Sequence, residues 1–228
     1  MRHEEAAPTA GTRVVLWRTR HLLGIMLICC IVFVALAIVA GEAGPNAIDL
    51  SATRWLQRTA PTWFGVLMEW VSWFGYSPQN AVMPIFVAAM FWLRGFHLEA
   101  VWVLGTQLSG IVTVLVKELV HRPRPAPDLV GVSVALQDPS FPSGHTVQYT
   151  TLFGFVFFLV YTLAQPSARR TALLFLIALP VVTVGPSRLY LGQHWLSDVL
   201  GGYALALLLL IPYCWAYARV LERRFLRR

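Results

Sequence analysis

Six long stretches without a charged side chain limit what this sequence can fold into more than any other feature: residues 22–40, 76–93, 100–116, 146–164, 171–187 and 199–218. A helix needs about 20 apolar residues to cross the hydrocarbon core of a bilayer, and most of these stretches approach that length. Only 13% of the 228 residues are charged, against about 25% in soluble domains, so a large soluble domain is excluded. The first stretch has no small-residue cleavage site and reads as a retained span. Cys29, Cys30 and Cys214 lie inside apolar stretches, where cysteine behaves as a small apolar residue and implies no disulfide framework. Without a repeat or a composition shift, residues 1–228 read as a single membrane-embedded domain. The expected fold is all-α, a six-transmembrane-helix bundle.

An even number of spans places both termini on one side. With the N-terminus inside, Arg2, Arg13, Arg18, Arg20, Arg94, Arg169, Arg170, Arg219, Arg223, Arg224, Arg227 and Arg228 face the cytoplasm. Arg54, Arg58, Lys117, Arg122, Arg124 and Arg188 face the other side. Twelve basic residues against six favour this orientation under the positive-inside rule. The net charge of +7 is thereby topological, and no nucleic-acid partner is expected. Between the first two spans, Trp63, Val66, Leu67, Trp70 and Phe74 form one helical stripe within residues 61–75. Two readings stand for it: a short interfacial helix on the non-cytoplasmic face, or a helix packing this stripe against the bundle.

That topology brings three polar clusters to one non-cytoplasmic edge. The first holds Lys117, His121, Arg122 and Arg124, the second is Pro142-Ser143-Gly144-His145, and the third is Ser187-Arg188 followed by His194 and Asp198. Lys117, the sole lysine among 18 basic residues, joins Arg124 and Arg188 in a set suited to a phosphate group of about two negative charges. Ser143 suits a helix N-cap, and Gly144 lets backbone N–H groups approach an anion. His194 and Asp198, four residues apart, are expected on one helical face. There the carboxylate would fix the imidazole tautomer and free the other nitrogen for nucleophilic attack, with His145 as proton donor. Three cations would repel a divalent ion, and no third carboxylate or cysteine ligand stands with them. No metal and no cofactor are expected.

These residues resemble the three motifs of the type 2 phosphatidic acid phosphatase superfamily: Lys117-x6-Arg124-Pro125, Pro142-Ser143-Gly144-His145 and Ser187-Arg188-x5-His194-x3-Asp198. All defining positions match, across residues 117–198. The resemblance implies a membrane lipid phosphatase with His194 as nucleophile, Asp198 as its orienting carboxylate and His145 as general acid. It also implies a phosphate-binding set of Lys117, Arg124, Ser143, Gly144 and Arg188. Arg122-Pro123 offers a competing register, but only Arg124 has the family spacing from Lys117; Arg122 and His121 are expected not to touch substrate. The first choice of substrate is undecaprenyl (polyprenyl) diphosphate of the bacterial envelope, at the inner membrane. Phosphatidylglycerophosphate, phosphatidate and lipid A phosphate are alternatives within the resemblance. A transporter or channel would be expected to carry polar groups near mid-span, and the six stretches carry no charge there. The soluble vanadate-dependent haloperoxidases of the superfamily are disfavoured by the spans.

Overall fold

The structure, a computed structural model, describes residues 19–42 and 44–226. Arg2, Arg13, Arg18, Arg227 and Arg228, part of the basic set invoked for orientation, lie outside them. The described residues form helices α1 (Thr19–Ala40), α2 (Ala47–Thr59), α3 (Thr62–Trp73), α4 (Gln79–Leu93), α5 (His97–Gly105), α6 (Leu108–Val120), α7 (Gly144–Leu163), α8 (Ala168–Tyr190) and α9 (Leu196–Leu226), with no strand among them. Helices α7, α8 and α9 pack on one another at the centre. Around them α1 lies along α9, α3 along α8, and α5 and α6 along α7.

Among the described residues, five helical segments are long and apolar enough to cross a membrane: His21–Ala40, His97–Val120, Gly144–Leu163, Ala168–Tyr190 and Leu196–Arg224. Their outer faces are apolar too. Of the α1 side chains described, from His21 to Ala40, only Cys29 and Ala40 are buried, and Leu23, Leu27, Ile28, Ile31 and Ile38 point outward. A continuous apolar surface of that extent belongs in lipid, so the chain is an integral membrane protein. The expected third span is a broken helix. Its α5 and α6 halves meet at a turn where the Thr106 hydroxyl donates to the Val103 carbonyl at 2.7 Å. The expected second span is shorter than its sequence suggests: α4 begins after Pro78 and has 15 residues, or about 22 Å of helix against a ~30 Å hydrocarbon core.

Two short helices complete the end of the bundle where the polar clusters lie. Asn46 caps α2 by accepting from Asp49 N–H at 2.8 Å, and the helix turns Asp49 and Thr53 inward. Helix α3 buries Met68 and Ser72, while Trp63, Val66, Leu67, Trp70 and Phe74 face away from the protein. The reading in which this stripe packs against the bundle is therefore corrected. The opposite face makes the contact, because small or flexible side chains there fit against α8.

Far from that end, Phe155 and Leu159 of α7, Val103 of α5 and Tyr217 of α9 form a fully buried core. Trp102, Tyr213 and Tyr217 surround Phe155 with edge-on or tilted rings at 5.1–6.4 Å. Inside it the Tyr217 hydroxyl donates to buried Glu99 at 2.6 Å. Tyr217→Phe leaves the Glu99 side chain without that donor, at a cost of roughly 1–3 kcal/mol. A lowered thermal midpoint in detergent, with kcat nearly unchanged, is the expected outcome.

Candidate active site

The site is assembled from two irregular segments folded against the ends of α6, α7, α8 and α9. Helix α6 stops at His121, whose left-handed backbone (φ 50°) turns the chain sharply. The His121 ring stays outside, 3.7 Å from Glu118. The next residue, Arg122, goes fully inside. The loop that follows is tied to α2: Arg54 donates to the Leu129 carbonyl at 3.0 Å, and Gln57 donates to the carbonyls of Gly131 at 2.7 Å and Tyr190 at 2.8 Å. The second segment, residues 191–195, turns back on α8, with Gln193 N–H donating to the Arg188 carbonyl at 3.1 Å. Gly192 has φ +62°, and a Cβ there would collide with the Gly131 carbonyl. Glycine is thus required where the two segments touch.

The structure brings all eight expected residues to this place. Lys117 Nζ donates to Asp138 Oδ2 at 2.8 Å and to the Pro139 carbonyl. Arg124 holds the same carboxylate, Nη2 lying 2.9 Å from both oxygens. Its Nη1 donates to the Gln193 carbonyl at 2.7 Å and reaches His194 Nε2 at 3.2 Å. A guanidinium has no acceptor, so Nε2 accepts and the imidazole proton sits on Nδ1. That nitrogen lies 3.5 Å from Asp198 Oδ2, which also accepts from Ser140 Oγ and from Trp195 N–H.

One expectation about this pair is corrected. His194 and Asp198 do not share a helical face, because α9 starts only at Leu196. Asp198 instead folds back over the helix start, accepting from Trp195 N–H at 2.8 Å, and meets an imidazole held in the preceding turn.

Arg188 is fully buried and donates through Nη1 to Ser72 Oγ at 2.7 Å, while its guanidinium carbon lies 5.4 Å from the Tyr76 ring centroid. Its Nε and Nη2 have no hydrogen-bond partner among the described residues, while His145 is hydrogen-bonded to the backbone of Ser72. Arg188, His194 and Arg124 all lie within electrostatic reach of His145. Ser143 caps α7 as expected. Its side chain accepts from Thr146 Oγ1 at 2.9 Å, so its own hydroxyl proton remains available to donate. Beside it, a Cβ on Gly144 would meet only Thr113, at 3.8 Å.

The electrostatics follow from this packing. Burial holds His194 well below the ordinary histidine value, and Arg124, Arg188 and Lys117 push it further down against an opposing pull from Asp138. The ring is neutral near pH 7, with the lone pair of Nε2 directed at the Arg124 guanidinium. For Asp138, burial pushes the carboxyl up, but hydrogen bonding and charge from Lys117 and Arg124 overcome it and leave the group at about 2.

Several residues at the site had no signal in the sequence. Ser72, Tyr76 and Gln193 form a buried brace: Tyr76 Oη donates to Gln193 Oε1 at 3.0 Å, and Ser72 Oγ lies 3.0 Å from Ser187 Oγ. Tyr76 was expected to open the second span, and it instead stands edge-on to His145 at 4.9 Å. Asp138 and Ser140 sit in an irregular loop where no periodicity marks them. Asp49 is separated from its partners by more than seventy positions.

Cations and two imidazoles gather at one end of the bundle, and the chain's relatives make it a membrane lipid phosphatase. The chain belongs to the PAP2 superfamily, which it matches over residues 96–222, more than half its length. It is 31% identical over 185 residues to phosphatidylglycerophosphatase B of Bacillus subtilis, covering 78% of this chain and 88% of that one. Decaprenylphosphoryl-5-phosphoribose phosphatase of Mycobacterium tuberculosis is 36% identical over 105 residues, 44% of this chain and 51% of its own. Two solved structures share the fold. A transmembrane PAP2-type phosphatidylglycerolphosphate phosphatase from Bacillus subtilis has a TM-score of 0.69 at 24% identity, over 87% of this chain and 96% of that one. Aquifex aeolicus LpxE has a TM-score of 0.56 at 21% identity, over 76% and 96% respectively.

Gly75 adjoins this site, where a Cβ would overlap the His145 ring at Cδ2, Nε2 and Cγ. Gly75→Ala must displace that ring. If His145 is a proton donor, the substitution costs on the order of 10²-fold in kcat while the protein still folds. Steady-state kinetics beside a thermal melt on the same sample check this.

Proposed function

We propose that this chain removes a phosphate from a membrane lipid phosphate or diphosphate through a phosphohistidine on His194. The observation that carries the reading is a buried guanidinium with two nitrogens, Arg188 Nε and Nη2, that have no hydrogen-bond partner among the described residues, beside an imidazole whose Nε2 accepts a hydrogen bond. Buried donors of this kind are normally satisfied, and a phosphate would satisfy them. In the proposed reaction His194 Nε2 attacks phosphorus, forming a P–N bond as the P–O bond to the lipid breaks. His145 gives its proton to the leaving oxygen. It then takes a proton from water as that water displaces the histidine and releases inorganic phosphate. Lys117, Arg124 and Arg188, with N–H groups at the start of α7 and the Ser143 hydroxyl, offset the charge on the equatorial oxygens. Asp198 holds the proton-bearing Nδ1 of His194 and supports the charge that develops on the ring. No step requires a metal ion.

Phosphatidylglycerophosphate is the substrate best supported, since a relative carrying that activity in its name aligns over most of both chains. Undecaprenyl (polyprenyl) diphosphate, put first from the sequence, is supported only at the level of a polyprenyl lipid, by a decaprenyl-linked relative that aligns over about half of its length. A panel of purified long-chain lipid phosphates and diphosphates in detergent, read by phosphate release, separates the two. Wild-type protein is expected to turn over lipid phosphates in excess chelator and to favour them strongly over glucose 6-phosphate. Rapid quenching should trap an acid-labile, base-stable phosphoenzyme that is missing in His194→Ala. His145→Ala should retain trace activity, about 10²–10⁴-fold reduced, that improves with a better leaving group. A fully active His194→Ala protein would sink the mechanism.

The same reading places α4 as a short sixth span, α3 at the interface with its tryptophans toward head groups, and the site on the non-cytoplasmic face of a bacterial inner membrane. Residues 137 and 169 then lie on opposite sides. Single cysteines at Gln137 and Arg169, in a cysteine-free background, should label from opposite faces of sealed vesicles. Equal protection of both from an impermeant reagent contradicts this arrangement.

A further inference from the structure

Two buried charges beside the site take no part in the chemistry described so far. Arg122 and Asp49 are both almost fully enclosed. Arg122 Nη2 pairs with Asp49 Oδ2 at 2.6 Å, and its Nη1 with Asp198 Oδ1 at 2.5 Å and Ser197 Oγ at 2.6 Å. Asp49 closes the arrangement by accepting from Ser197 N–H at 2.8 Å, in the first turn of α9, where a negative charge is favoured. Asp198 is thereby divided. One oxygen faces Arg122; the other faces Ser140, Trp195 N–H and the His194 ring. Asp49 lies outside the region that matches the family.

Charge counting gives this arrangement a purpose. Arg122 alone would cancel the charge of Asp198 and leave nothing to support a positive His194. Asp49 supplies a second carboxylate, so the three groups together carry one net negative charge. We infer that Asp49 and Arg122 are positioning residues for phosphoryl transfer: Arg122 locks the orientation of Asp198, and Asp49 preserves the charge that Asp198 presents to His194. This rests on the reading of His194 as nucleophile. The other groups facing that ring are Lys117 and Arg124 with Asp138 from the α6 end and its loop, His145 from α7 and Arg188 from α8. None of them supplies Asp198 with the compensation that Asp49 gives.

The alternative is a staple joining α2 to α9 with no influence on the ring, and pH dependence separates the two. Asp49→Asn keeps the shape and removes the charge, so Arg122 then neutralises Asp198. The His194 imidazolium loses support, and the acid limb of kcat/KM, corrected for the substrate's own titration, moves to lower pH. Neutralising an aspartate that directly orients a catalytic histidine costs about 10⁴-fold; one group further away, a kcat loss of roughly 10- to 100-fold is expected. The double variant Asp49→Asn/Arg122→Gln regains one net negative charge, and its acid limb should return toward wild type even where its melting temperature is lower still. An activity-independent readout is the Nδ1–H proton resonance of His194 in histidine-labelled protein, assigned by its loss in His194→Gln. It should move upfield in Asp49→Asn and back in the double variant. If the acid limb and the resonance stay fixed in Asp49→Asn while stability falls, the pair is only a staple and the inference is wrong. Should wild-type protein release no phosphate from any lipid, the functional reading fails, and the resonance still decides the role of Asp49.

Discussion

Positive charge is concentrated where the bundle offers little solvent to support it, and much of the surrounding architecture follows from how that charge is held. Isolated charges are costly to bury, and paired ones break even only when their hydrogen bonds are well made. Lys117 and Arg124 share the Asp138 carboxylate, and Arg122 sits between two aspartates. Arg188 is different. Among the described residues it has no carboxylate partner, only Ser72, Tyr76 and the face of the Tyr76 ring. A guanidinium so placed is the strongest local argument for an anionic ligand, and α3 is shaped to keep it there through Ser72.

The scaffold that fixes these charges is a set of tethers between distant parts of the chain. Gln57 of α2 grips both the 121–143 loop and the end of α8, and the close approach of Gly192 to Gly131 lets the two segments meet. Ser140 N–H donates to the Arg122 carbonyl at 2.8 Å and Ser143 N–H to the Asp198 carbonyl at 3.0 Å. Backbone bonds thus hold together the three clusters that the sequence presents separately. The apolar core around Phe155 lies further along α7 and serves the site only by keeping the helices packed.

Much of this arrangement was legible beforehand. Lys117, Arg124, Ser143, Gly144, His145, Arg188, His194 and Asp198 could be picked out because their types and spacings match a phosphoryl-transfer chemistry, and topology gathered them at one edge. The apolar stretches gave the helices, though not their breaks: a turn at Thr106 and the late start of α4 at Gln79 depend on local hydrogen bonding and proline placement. The helical spacing of His194 and Asp198 misled, since four residues imply a shared face only within one helix. Which side of α3 packs inward was equally hidden, because a tryptophan stripe suits lipid and protein alike. Asp49 was beyond reach for a plainer reason: no periodicity links an aspartate in α2 to an arginine 73 positions on.

Asp138 is an anion already seated on two of the cations. Its carboxylate makes a two-oxygen contact with Arg124 while bonding Lys117, the geometry a phosphate would use, and it remains ionised down to a pH of about 2. Under the proposed function, a head group arriving at Lys117 and Arg124 would exchange with a resident anion instead of settling on bare cations. For a phosphodiester, with a single charge, that exchange is one for one. A terminal phosphate monoester carries up to about two charges and gains on the trade. In a bilayer composed largely of diester lipids, an internal competitor of this kind would keep the bulk lipid from occupying those cations and would leave a rarer monoester the advantage.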